Sequence, residues 1–207
     1  MTSYANLTAD IKSWTQNQSA ELSAETDQII ANCMERIVRD LPIQPFLKQD
    51  TASFTIGSST ISRPNSSRFV EMREFSYVDA SSNYVRLEYR QESFVKTIYP
   101  NASTQGSPVY YYTDTAGTWR VGPVPDAALT YTLEYLQRPV LDGTTTTNWL
   151  TDNAYNLLLA AALAEAARFV RDQRQPNLLE VNEAIYQREL AKVKEAELGF
   201  ELDGRKI

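Results

Sequence analysis

The chain has no histidine and a single cysteine, Cys33, among its 207 residues. Without histidine, catalysis by an imidazole base or by a Ser–His or Cys–His pair is excluded. Zinc sites built on histidine or on several cysteines are excluded for the same reason. One cysteine cannot close a disulfide within the chain, so the fold needs no oxidising compartment. Cys33 stands on an apolar stripe and reads as a small buried side chain. Phosphate-binding loops, dinucleotide-binding glycine patterns and nucleophile elbows are also missing. No cofactor and no metal are expected.

Basic blocks are lacking too. Twenty Lys and Arg stand against 26 Asp and Glu, a formal net charge of −6. Sequence-specific nucleic-acid binding is therefore not expected, whereas DNA could pass along such an acidic surface without adhering. The opening residues MTSYANLTADIKSW carry no basic stretch followed by an apolar core, so no secretory signal reads there. The longest apolar run is LLLAAALA at residues 157–164, flanked by Asn156, Glu165 and Arg168. A bilayer-spanning helix needs roughly 20 apolar residues, so no membrane insertion is expected. What remains is ordinary for a folded protein, 43% hydrophobic and 22% charged, which decides against a disordered chain.

Three parts follow one another. Leu7, Ile11 and Trp14 form the apolar side of a first short helix. After the polar link QNQSAELSAETD, the residues Ile29, Ile30, Cys33, Met34, Ile37, Val38 and Leu41 recur at spacings of three and four. That stripe predicts a helix of about 15 residues, stopped by Pro42 and Pro45. Residues 51–139 are rich in Ser, Thr, Tyr, Val and Phe and read as β-structure. Residues 84–89, YVRLEY, alternate as a half-buried strand does, and residues 129–136, LTYTLEYL, do so more cleanly. The runs on either side of Gly117 predict a hairpin. The third part is helical: one helix from Asn148 or Thr151 to about Arg171, then a last one over residues 177–198 with Leu178, Val181, Ile185, Leu190 and Val193 inward.

The expected class is α+β. Residues 1–48 and 148–198 form a bundle of about four helices, and residues 49–147 an inserted antiparallel β-sandwich or barrel-like domain. Residues 199–207 form an extended tail whose Phe200, Leu202 and Ile207 are apolar in a polar, glycine-bounded segment. Frayed termini usually lack such residues, so the tail reads as one that docks into a neighbour or partner.

Little chemistry is legible. Glu71 with Glu74, or Glu88 with Glu92, could pair as the acids of a glycoside hydrolase, but such spacings are common on a β surface. Tyr110, Tyr111, Tyr112 and Trp119 could form a stacking platform for sugars or bases. Alternation places Tyr110 and Tyr112 on one face and Tyr111 on the other, which favours a sandwich core plus an aromatic subunit contact.

Several stretches in order carry a resemblance: YANLTADIKSWTQN, ANCMERIVRDL, WRVGPVPDAALTYTLEYLQRP, TTNWLTDNAYNLLLAAALAEAARFVRD and EAIYQRELAKVKEAE. Together they resemble the head-to-tail adaptor, or connector, proteins of tailed bacteriophages, including the tail tubular proteins of short-tailed phages. The likeness covers both helical ends and the strand before the third helix, and is weak over residues 51–104. It implies a non-enzymatic structural protein of the virion. Its ring, of twelve copies, would sit between portal and tail nozzle and extend the DNA channel, after assembly in the host cytoplasm. It implies that the C-terminal tail, with Phe200, Leu202, Arg205, Lys206 and Ile207, clasps the portal. In such a ring the run of alanines, with Ala160, Ala161 and Ala164, is expected to face the bundle on one side and a neighbouring copy on the other, and Tyr110 and Tyr112 to supply the aromatic subunit contact. The second reading is a tail component that binds or degrades glycans through the β domain.

Overall fold

The computed structural model describes residues 2–17, 19–64, 68–170 and 177–204, with residues 170 and 198–204 described by backbone alone. The chain divides into two compact units, residues 1–46 with 138–207, and residues 47–137.

The first unit is helical. Helix α1 (Tyr4–Trp14) is capped by the Ser3 hydroxyl and buries Leu7 and Ile11. Helix α2 (Ala20–Asp40) is capped by Ser19, whose side chain accepts from the Leu22 N–H. It starts well before the expected stripe, so most of the link read as polar is helical. Leu22 and Thr26 are buried there and extend the apolar stripe by two turns. The third helical stretch is interrupted. Asn148 and Thr151 form a reciprocal capping box on α4 (Trp149–Asn153), Ala154 leaves the helical conformation at φ −142 and ψ 43, and α5 (Tyr155–Val170) begins anew. Helix α6 runs over Leu178–Gly204. The expected helix ended at residue 198 with an extended tail beyond it; the backbone is instead helical through Gly204.

Helix α5 is the hub of this unit, packing against α1, α2, α4 and α6. Its alanines make this possible, because a methyl side chain lets neighbouring helices approach on several sides. Leu157, Leu158, Ala160, Ala161, Ala162, Leu163, Ala164 and Ala166 are all buried. Tyrosine–aspartate hydrogen bonds tie the helices at their polar margins. The Tyr4 hydroxyl donates to Asp27, joining α1 to α2. The Tyr155 hydroxyl donates to Asp10 at 2.5 Å, joining α5 to α1. The Tyr186 hydroxyl donates to Asp40 at 2.6 Å, joining α6 to α2. Arg36 grips Glu183 through both terminal nitrogens and lies 4.0 Å from the Tyr186 ring centroid. Arg36, Asp40, Glu183 and Tyr186 thus form one closed network between α2 and α6.

The second unit is a β-sandwich. Its first sheet has the order β1 (Leu47–Ser53), β10 (Thr130–Gln137), β3 (Phe69–Val78), β4 (Tyr84–Arg86), all antiparallel. The second has the order β2 (Thr60–Ile61), β8 (Trp119–Gly122), β7 (Tyr110–Thr113), β5 (Glu88–Tyr89). A small third pair joins β6 (Gln105–Gly106) to β9 (Val124–Pro125). Aromatic side chains dominate the core between the two larger sheets: Phe54, Phe75, Tyr77, Trp119, Tyr131 and Tyr135 are all buried in it. Each sheet ends in edge strands, so the unit is an open sandwich and does not close into a barrel.

The domain is mainly antiparallel, as expected, with two local departures. β5 and β7 are parallel, as are β6 and β9. The cause is a helix the sequence pattern does not announce. Helix α3 (Glu92–Ile98) connects β5 to β7, and a crossover of this kind is what returns a chain to a parallel neighbour. The run YVRLEY is likewise two strands. Leu87 turns the chain from the first sheet to the second, its side chain buried in the shared core.

Candidate functional site

Three sets of residues were singled out by the sequence: the tyrosine cluster with its nearby acids, the alanines of α5, and the C-terminal tail. Their surroundings differ.

Tyr111 points into the sandwich, where its ring meets Phe75 at 5.4 Å and Trp119 at 6.3 Å. Trp119 is only 7% exposed, so it serves the core and cannot be part of a stacking platform. Tyr110 and Tyr112 share the opposite face, as alternation requires. Tyr110 packs edge-on against Phe94 of α3 at 5.6 Å, and Phe94 remains 42% exposed. Tyr112 lines a cleft of about 390 Å³ between α3 and the β7–β8 hairpin.

That cleft gathers a dense set of charges, of which the sequence suggested only Glu92. Glu92 and Lys96 face it from α3, Asp114 from the hairpin turn and Arg120 from β8. Lys96 holds Glu92 at 2.7 Å, and the Arg120 Nε–H donates to Asp114 at 2.6 Å. Asp114 also accepts from the Ala116 and Thr118 N–H groups, shaping the turn that Gly117 completes at φ +78. The Arg120 guanidinium and these backbone donors hold the Asp114 carboxyl below its ordinary range. Burial, with Glu92 and Asp114 nearby, pushes the Tyr112 phenol up. A glycosidase acid needs a raised carboxyl pKa to carry a proton at neutral pH, the reverse of the shift at Asp114. The acids are the less exposed members of each pair, with side-chain exposures of 20% for Glu92 and 10% for Asp114 against 68% for Lys96 and 36% for Arg120. The cations therefore form the outer rim, each paired with the acid beneath it. Val95 closes the floor, because Gly122 has no Cβ; one built there would stand 2.6 Å from Val95 Cγ1.

Of the other acids named from the sequence, Glu74 and Glu88 line a second cavity of about 550 Å³, but Arg73, Arg86 and Arg90 line it with them, and each of these acids has an arginine partner. Glu71 lies 3.6 Å from Arg73, and Glu88 2.5 Å from Arg90. Glu74 accepts from the Tyr84 hydroxyl and faces Arg86 at 3.9 Å. The pairing of Glu with Lys at residues 92 and 96 is a sequence signal for the missed helix α3, at i,i+4 spacing. It stayed hidden because a seven-residue helix with one buried side chain, Val95, leaves no periodic stripe.

Ala160, Ala161 and Ala164 are 2%, 0% and 0% exposed within their own chain. Their methyls are already covered by the neighbouring helices, which leaves no surface for a second copy to touch. The expectation of a subunit contact at these residues is corrected on that ground. Phe200 and Leu202 lie on the helical end of α6, while Arg205, Lys206 and Ile207 fall outside the described residues. Among the described side chains of α6 the last buried one is Leu190, and residues 191–197 are exposed or half-buried. No described helix is long and apolar enough to cross a membrane.

No curated protein matches the chain. The model of the family described as SU10 adaptor protein matches residues 2–202, spanning both structural units. The chain belongs to the SU10 adaptor protein family and is a structural adaptor of the phage head-to-tail junction.

Proposed function

We propose that this adaptor assembles as a ring of twelve copies between the portal and the tail nozzle, and that the ring extends the channel through which the genome leaves. The observation that carries the reading is helix α6. It is 27 residues long, yet past Leu190 none of its described side chains is buried. At 1.5 Å per residue, residues 191–197 alone carry about 10 Å of helix with no fully buried side chain. A lone chain gains nothing by holding such an arm, whereas a partner that receives it does. In this reading Phe200 and Leu202, carried on the arm, and Arg205, Lys206 and Ile207 beyond it, engage the portal.

Tyr110 and Tyr112, with the exposed Phe94 and the cationic rim of the α3 cleft, remain a proposed contact with a neighbouring subunit. The acidic balance of −6 suits DNA that must slide past without sequence-specific binding. The protein acts by binding and catalyses nothing, and it assembles in the host cytoplasm before residing in the virion. The test is a chain lacking residues 199–207, incubated with purified portal. Loss of co-purification with unchanged helical circular dichroism is expected. Undiminished portal binding would refute the docking arm, and hydrolysis of host surface glycans by the intact chain would refute the non-enzymatic role.

A further inference from the structure

We propose that the first β-sheet continues from copy to copy, the edge strand β4 of one chain receiving the edge strand β1 of the next. The inference rests on the ring reading above and names a contact that joins its members.

Strand direction permits the joint. The order β1, β10, β3, β4 is antiparallel at every step, so β1 and β4 run in opposite directions. A β1 laid outside a neighbour's β4 is then antiparallel to it, and the alternation continues without a break.

The hydrogen-bond phase permits it as well. In an antiparallel ladder a residue directs its N–H and C=O to the same side, and successive residues alternate sides. The Phe54 N–H donates to the Leu129 carbonyl at 3.0 Å, in the register that sets Ala52 against Tyr131 and Asp50 against Leu133. Asp50 and Ala52 therefore bond to β10, while Gln49, Thr51 and Ser53 direct their backbone groups to the open edge. At the other edge, the Leu87 N–H donates to Phe75 and the Asp79 N–H to Asn83, at 2.8 and 2.9 Å. That phase makes Val85 the residue bonded to Tyr77 and leaves Tyr84 and Arg86 directed outward.

The faces agree too, and this need not have been so. Tyr77, Tyr131 and Leu133 lie in the sandwich core, so their cross-strand partners Val85, Ala52 and Asp50 share the core face. The outward-directed residues of both edges stand on the opposite face. Directly paired residues share a face. Joining these edges therefore sets core face beside core face; with the other phase at either edge, the second copy would be turned over.

Both edges carry features that limit pairing with strands at large. β4 offers only three residues, and β1 sets Lys48 and Asp50 on the core face, devices that discourage indiscriminate pairing. Among described residues β1 pairs only with β10 and β4 only with β3. Each copy carries one edge of each kind, a heterologous contact of the type that closes rings. The occupant is thus a second copy of this chain. Pairing of like edges would stop at a dimer, and a strand from a different protein would engage one edge alone.

The register that sets Val85 against Ala52 keeps apolar beside apolar and places Arg86 opposite Thr51. Bonded pairs have Cα atoms about 5.5 Å apart, within disulfide reach. Cys33 is fully buried and does not compete. The experiment combines Arg86→Cys with Gln49→Cys, Thr51→Cys or Ser53→Cys, all exposed positions, in the full chain assembled on its portal and mildly oxidised. A ladder of linked dimers, trimers and larger species on a non-reducing gel is expected, strongest for T51C with R86C and absent for each single variant. Rings visible by electron microscopy with no ladder from any pair overturn the edge joint and leave the ring reading standing. Dimers from a single variant show like-edge pairing and overturn it also. Failure of every chain, wild type included, to form rings overturns the ring reading and the joint with it.

Discussion

Gly122→Ala tests the packing of α3 onto the second sheet. The added methyl would lie 2.6 Å from Val95 Cγ1, with its next neighbours, Tyr99 ring atoms, at 3.6 and 3.9 Å. Val95 is 3% exposed and branched at Cβ, so it has no easy rotamer to retreat into. Forcing a methyl into such a contact costs about 1–3 kcal/mol. Val95→Ala alone removes two buried methyl groups, a loss of roughly 2 kcal/mol from transfer and cavity together. If the two costs were independent, the double variant would lose about 3–5 kcal/mol. The geometry predicts otherwise. Without Cγ1 the methyl at position 122 meets only ordinary contacts and fills part of the space that Val95 vacates. The double variant should therefore be about as stable as Val95→Ala, a coupling of about 1–3 kcal/mol in its favour. Urea unfolding, followed through the fluorescence of the buried Trp119 with Trp14 and Trp149 replaced by Phe in every member of the cycle, measures each corner. Additive losses would refute the claim that α3 rests on Gly122 through Val95.

Three further outcomes follow from the helical unit. Tyr186 is fully buried, and Tyr186→Phe should cost about 1–3 kcal/mol through the lost bond to Asp40, against about 3–5 kcal/mol for Tyr186→Ala; equal losses in thermal unfolding would mean the hydroxyl contributes nothing. Ala161→Leu and Ala164→Leu should each destabilise by about 1–3 kcal/mol, because both methyls are wholly covered, and an unchanged urea midpoint would contradict the hub role of α5. The third concerns alkaline pH. The bond to Asp27, with burial, pushes the Tyr4 phenol up to about 12, and burial followed by the bonds to Asp10 and Asp40 raises Tyr155 and Tyr186 further. Folded pKa values above the ordinary 10 mean that the stabilisation is complete below pH 10. Above it the unfolded chain loses phenol protons that the native state keeps, and stability falls as pH rises toward 12 and beyond. For the buried Tyr186 the slope is about 1.4 kcal/mol per pH unit. Urea midpoints at pH 9 and pH 11 check this, and Tyr186→Phe should flatten the decline.

Much of the architecture was legible because long amphipathic helices and alternating strands announce themselves. The stripe from Ile29 to Leu41 and the alternation in LTYTLEYL both appear as expected, as α2 and β10. What escaped were features set by single residues or by context. Ser19 starts α2 more than two turns before its stripe, by an N-cap bond that hydrophobic periodicity does not see. Ala154 breaks α4 from α5 although alanine is the best helix former, so the break is imposed by packing and not by propensity. Helix α3 is too short to show a period, and with it the parallel pairing of β5 and β7 went unread. The candidate site was half legible. Alternation set Tyr110 and Tyr112 on one face correctly, but Glu92, Lys96, Asp114 and Arg120 come together only through α3 and the hairpin. The alanines of α5 mark close packing, as read, but the packing is within the chain.

The most direct test of the account is cryo-electron microscopy of the purified chain mixed with its portal. The account predicts a closed ring of twelve copies seated on the portal, with the α6 arms reaching into it and an open central channel. A chain that stays monomeric beside an intact portal, or binds it without closing a ring, would contradict it.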